Sequence, residues 1–104
     1  MADHTSYVAE QIERGAHLIP DHMLGAIKRY LLNGIPPGGF LSALLSNDFM
    51  GAVGKADGEN SAALIGWARF HYNYAPAGSF GSPEAFAKWL DRGGIAGREE
   101  AQAA

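Results

Sequence analysis

Cysteine is missing from this 104-residue chain altogether, and charge is scarce. Without a thiol there is no disulfide frame and no thiolate metal site, a usage that fits a reducing cytoplasm. Charged residues make up 18% of positions, below the ~25% of an average domain. A chain with so little charge has less surface suited to water than a monomer carries, which points to self-association. Net charge is −3, whereas neutralising duplex phosphates needs a basic surface, so duplex DNA is not an expected partner. No apolar run approaches the ~18 residues of a membrane span, so no membrane partner is expected. The first residues show no basic stretch ahead of an apolar one, so no secretory leader is expected. Internal repeats and clear strand alternation are lacking too.

Glycine and proline, by contrast, are concentrated in one place: Asn33-Gly34-Ile35-Pro36-Pro37-Gly38-Gly39-Phe40. This stretch stops one amphipathic helix and starts another. Glycines free the backbone and prolines restrict it, so a sharply bent corner with little side-chain cover is expected. Such a corner either packs closely on another backbone or offers bare N–H groups to an anion.

Around it the pattern is helical. A short helix is expected from Thr5 or Ser6 to about Arg14, stopped at Gly15. Asp21 is read as the N-cap of a helix reaching Asn33, with Gly34 in the left-handed C′ position. On that helix His22, Arg29 and Asn33 share a polar edge. Phe40, Leu41, Leu44 and Leu45 follow as two turns, Asp48 caps a weak helix up to Lys55, and Asp57 caps a long one over 58–74. Ser82-Pro83-Glu84 starts the last, which ends at Gly93-Gly94. The fold class is therefore all-α: a compact, oligomeric bundle of about five short helices. Residues 1–17 read as an N-terminal arm or short helix, 18–93 as the helical domain and 94–104 as a flexible tail.

The 58–74 segment carries Glu59, Ala62, Gly66, Arg69 and Asn73 on one narrow stripe and is apolar over most of the rest. A helix greasy around most of its circumference is buried on most sides, more than so short a chain can supply alone. Identical copies are expected to meet there. Asn60 and His71 fall inside the apolar arc, either as satisfied buried groups or facing a pocket.

For chemistry, no nucleophile elbow or oriented Ser/His/Asp set occurs, and the histidines lack metal-ligand spacing. No catalytic residue, metal or cofactor is expected. The glycine-bearing turns before Phe40 and before Pro83 are candidate anion sites, or ordinary tight connections. Lys28, Arg29, Lys55 and Arg69 are the cations that could reach a ligand there.

The sequences Ile19-Pro20-Asp21-His22-Met23, Ile35-Pro36-Pro37-Gly38-Gly39-Phe40-Leu41 and Leu45-Ser46-Asn47-Asp48, then Ala56-Asp57, Asn60, Tyr72-Asn73, Gly81-Ser82-Pro83-Glu84 and Trp89, carry a resemblance. Over about residues 18–90 the chain resembles a family of small tailed-phage proteins with no settled catalytic residues. The resemblance implies a phage or prophage gene acting in the cytoplasm of a bacterial host. Small phage proteins of this kind often counter host defence. One class, the sponges, sequesters nucleotide-derived immune signals, such as a cyclic oligonucleotide or an ADP-ribose derivative, in pockets at subunit interfaces. On that reading the partners are a second copy and a nucleotide-like ligand. Pro37, Gly38, Gly39 and Phe40 would meet phosphate, Lys28, Arg29 and Arg69 would supply charge, and Asn47, Tyr72 and Tyr74 would read a base or ribose. The alternatives are an inhibitor that binds a host or defence protein directly, a small phosphodiester-acting enzyme, and a structural accessory.

Overall fold

Helix caps set the element boundaries. The computed structural model describes residues 4–97. Among them the chain forms seven α-helices, a further helical turn at 94–97 and two 3₁₀ turns, with no strand. The helices are α1 (His4–Gly15), α2 (Leu24–Asn33), α3 (Gly39–Leu45), α4 (Phe49–Lys55), α5 (Gly58–Ala62), α6 (Leu64–Tyr74) and α7 (Pro83–Arg92); the 3₁₀ turns are Ala16–Leu18 and Asp21–Met23. Asp48 accepts the Gly51 N–H at 2.9 Å, Asp57 the Asn60 N–H at 2.7 Å and Ser82 the Ala85 N–H at 3.0 Å. Each bond satisfies a donor that the first helical turn leaves orphaned. The Asn60 N–H, and then the His22 ring, hold the Asp57 carboxyl below its usual range. Gly34 (φ 67°) and Gly93 (φ 79°) close α2 and α7 in the left-handed region.

The all-α class holds, but the helices are more numerous than five. The expected 58–74 helix is broken at Ala63 (φ −99°, ψ 12°). There the Ala63 N–H is shared between the Glu59 and Asn60 carbonyls, at 3.1 and 3.2 Å, as at a helix end. Asp21 is not a helix cap either. The Pro20 carbonyl accepts the Met23 N–H at 3.0 Å, so Asp21 sits in a tighter i→i+3 turn and α2 starts at Leu24.

The core is one cluster containing Trp67, Trp89, Tyr30, Phe70, Ile27, Leu31, Leu41 and Leu45, all fully buried. Of the two readings of the N-terminal segment, arm or short helix, residues 4–15 form the helix, docked in this core through Val8 and Ile12. Residues 94–97, expected to be tail, form a helical turn whose Ile95 is fully buried. The rest of the arm and tail, residues 1–3 and 98–104, lies outside the described residues. Two tryptophans anchor the cluster through their N–H groups: Trp89 Nε1 donates to the Tyr30 carbonyl and Trp67 Nε1 to Asn60 Oδ1, both at 3.0 Å. The Tyr30 hydroxyl donates to the Ser79 carbonyl at 2.7 Å, which pins the loop between α6 and α7. Burial raises the pKa of that hydroxyl well above its ordinary value.

The glycine corner resolves toward backbone packing at its first half. A Cβ on Gly34 would stand 2.6 Å from the Gly94 nitrogen and 2.8 Å from the Gly93 backbone. The end of α2 thus rests directly on the end of α7, glycine against glycine. Gly38 differs: its φ is −69° and a Cβ there would meet nothing within 4 Å. Gly34→Ala should therefore lower unfolding free energy by ~2 kcal/mol or more, from left-handed strain and a backbone clash. Gly38→Ala should change it by no more than ~0.5 kcal/mol, because restriction of the unfolded chain offsets the loss of glycine at the N-cap of α3. Chemical denaturation of both variants checks this pair of expectations.

Candidate functional site

Along α6 the side chains divide at ~100° per residue into three arcs. Trp67 and Phe70 point into the core, with Tyr74 half-buried beside them. Gly66, Arg69 and Asn73 form the polar stripe. Ile65, Ala68 and Tyr72 form a third arc that the chain leaves open: Ile65 is 68% exposed and Tyr72 85%. Phe49 of α4 (61% exposed) lines a groove with this arc, and Met50 (76%) and Val53 of the same helix are exposed as well. That groove, between the two helices, has a volume of about 290 Å³. Leu44 of α3, Phe49 of α4, Ile65, His71 and Tyr72 of α6 and Phe80 of the following loop line it. Asn47 stands at its edge in the left-handed region (φ 64°), a conformation asparagine tolerates better than most residues.

His71 is the polar group of this groove's floor, and it is buried. Its ring stacks on Trp67, with centroids 5.8 Å apart, and lies 5.4 Å from Phe70 and 5.3 Å from Phe80. Nδ1 lies 2.9 Å from the Trp67 carbonyl oxygen. That oxygen can only accept, so Nδ1 carries the proton and the neutral ring keeps a bare lone pair on Nε2. Burial pushes the His71 pKa down to about 4, against a smaller opposing effect of the Trp67 carbonyl. Nε2 is buried and has no hydrogen-bond partner among the described residues. The imidazole thus keeps one acceptor without a partner, closed to solvent, at a residue that lines an apolar groove.

The ten residues singled out from the sequence are dispersed. Asn47 and Tyr72 line this groove. Tyr74 lines a different one of about 280 Å³, with Tyr7, Asn73 and Ala77. Phe40 is buried edge-on against Trp67, with ring centroids 5.8 Å apart. The Pro37 carbonyl accepts a bond from Ser42 Oγ at 3.2 Å. Gly38 is exposed at the start of α3, and Gly39 lies under the Lys55 side chain. Lys28 Nζ donates to Glu13 Oε1 at 2.6 Å, tying α2 to α1. Arg29 and Arg69 are exposed and belong to neither groove's lining. The start of α7, the other anion candidate, is engaged internally: Ser82 takes the Ala85 N–H, and the Gly81 N–H donates to the Leu45 carbonyl at 2.9 Å. His22 lies outside both groove linings, 2.9 Å from Asp57 and 3.4 Å from Glu59. Among the described residues no group of three or more His, Cys, Asp or Glu side chains is placed to hold a metal.

The choice of site residues from the sequence left out His71, Phe80 and Ile65. The signal for His71 was present as a lone polar residue inside an apolar arc. Phe80 was legible only as part of the glycine-bearing turn before Pro83, because the pinned loop alone brings it against the imidazole. No family model, curated protein or solved structure matches the chain.

The pH dependence of stability tests the buried imidazole. The folded pKa, about 4, lies below the unfolded ~6.5, so protons favour the unfolded chain. The His71 contribution is complete above pH ~6.5 and is lost as pH falls toward 4, by up to ~1.4 kcal/mol per pH unit. His71→Gln should remove this component. The stability difference between wild type and variant, measured by denaturation from pH 7 to pH 4.5, should shift against the wild type as pH falls. A difference that stays constant would mean the imidazole is not held neutral.

Proposed function

We propose that this is a non-catalytic binding protein that self-associates through the open α4–α6 face and sequesters a ligand in the groove between those helices. The observation that carries the reading is the conjunction at one place of an apolar, solvent-facing surface and a buried, unfilled acceptor. Phe49, Met50, Val53, Ile65 and Tyr72 are exposed on these two helices. At ~200 Å² for a fully exposed large side chain, their exposures amount to about 650 Å² per copy. That is most of the ~800 Å² each partner contributes to a stable interface. These residues carry no charge, so two copies of a net-negative chain can meet there without bringing like charges together.

The resemblance to small tailed-phage proteins supports a counter-defence setting, in which the ligand is a nucleotide-derived immune signal and the site of action is the host cytoplasm. In such a ligand the base suits the groove, and the phosphates belong outside it, because no charged side chain lines it. The same uncharged lining favours a second reading, in which an apolar segment of a host or defence protein covers the face. Among the described residues no helix is long and apolar enough to cross a membrane.

Two measurements test the proposal. Sedimentation equilibrium at micromolar concentration should show an oligomer, and Ile65→Lys with Tyr72→Glu should weaken the association at least ~10-fold, as for central interface positions. A panel of cyclic dinucleotides, cyclic trinucleotides and ADP-ribose derivatives should include one that raises the melting temperature and is recovered unchanged after heat denaturation; a ligand at 100 times its Kd stabilises by ~2.7 kcal/mol. A monomer with no shift from any of them, but with a co-purifying protein, would favour the second reading.

A further inference from the structure

We infer that His71 Nε2 is the recognition point for a flat, uncharged heteroaromatic group that carries an N–H donor and enters the groove lined by His71, Tyr72 and Phe80. The inference deepens the proposed function and rests on it for the site, but each can fail alone.

Four observations define the group. Nδ1 faces back to the carbonyl of its own helix, so Nε2, on the far side of the ring, faces away from α6. A neutral ring with its proton on Nδ1 can only accept at Nε2, so the incoming atom must be a donor. The lining includes Phe49, Tyr72 and Phe80 beside Leu44, Leu64 and Ile65, surfaces that suit a ring face. No charged side chain lines the groove, so a buried ion would lose hydration without compensation. The volume, about 290 Å³, lies at the lower end of small-molecule sites of ~300–1,000 Å³.

Simpler occupants fit less well. A metal ion would find a single nitrogen, with no His, Asp or Glu cluster around it among the described residues. A lone water needs two to four polar partners, and the rings packed on the imidazole are those of Trp67, Phe70 and Phe80. Nε2 is closed to solvent in the free chain. Of the three rings packed on the imidazole, Phe80 alone lines the groove; it is half-buried in the loop between α6 and α7, so it is the ring that an entering group displaces. Phe80 acts as a cover over the acceptor, and an unfilled acceptor is what the donor of the ligand satisfies.

Matched probes that differ only in the donor test this on the full-length protein: indole against 1-methylindole, and adenosine against purine riboside, which lacks the amino group. The pairs sample two ring shapes. In NMR titrations at pH 7 the donor-bearing member of at least one pair should bind about tenfold tighter, which is about 1.4 kcal/mol, and should shift the Ile65 and Tyr72 resonances. The ¹⁵N shift of His71 Nε2 should move on binding, reading the new bond directly in the wild type. His71→Phe, which keeps a ring without the acceptor, should abolish the discrimination, and Phe80→Ala should tighten binding of the same member. Equal affinity within both pairs, an unmoved Nε2 resonance, or no binding at millimolar concentration overturns the inference. Donor-independent binding by an intact oligomer sinks the inference alone. Donor-selective binding by a monomer sinks the self-association reading alone.

Discussion

The Trp67 indole has to hide its ring and still satisfy its N–H, and much of the molecule follows from how it does so. Asn60 supplies the acceptor from the other side of the break at Ala63. Phe40 and Phe70 meet the ring edge-on, and His71 stacks on it. The carbonyl of the same residue fixes the His71 tautomer. One residue therefore joins α3, α5 and α6 into a core and sets which imidazole nitrogen is left free. A buried polar atom without a partner costs more than a hydrogen bond gains, so the indole N–H, Asn60 and the imidazole act as one linked set.

A second hub holds the groove's outer wall. Tyr30 stacks on Phe86, accepts the Trp89 N–H at its carbonyl and donates its hydroxyl to Ser79. Ser79 in turn donates to the Pro76 carbonyl at 2.6 Å, which folds the loop on itself. The loop thus holds Phe80 against His71 through bonds made at its two chain neighbours, Ser79 to Tyr30 and Gly81 to Leu45. The position of the groove's cover is set by core residues distant from it in the sequence.

α6 then serves two purposes on two faces. Its Trp67 and Phe70 face belongs to the interior, and its Ile65 and Tyr72 face is open. A domain of this size has few helices to wrap around one of its own, so an apolar helix at its centre keeps one side uncovered. This constraint connects the fold to the proposed function, because the uncovered Ile65 and Tyr72 line the same groove as the buried His71.

Local chemistry was legible from the residues alone. Asp48 and Ser82 cap the helices they were read to cap, Asp57 caps the first piece, α5, of the one it was read to cap, and Gly34 and Gly93 end theirs, since these residues act on backbone groups within three or four positions. The all-α class and the greasy 58–74 segment were legible for the same reason: both are short-range periodicity. Only the tertiary structure decided where Ala63 breaks that segment, why Ile95 is core, that Phe40 and Lys28 are engaged within the chain, and that Phe80 lies over His71. These depend on contacts between residues far apart in the chain, such as Gly34 on Gly94 and Tyr30 on Ser79. No local preference encodes such contacts, because their free energy exists only once both segments are in place.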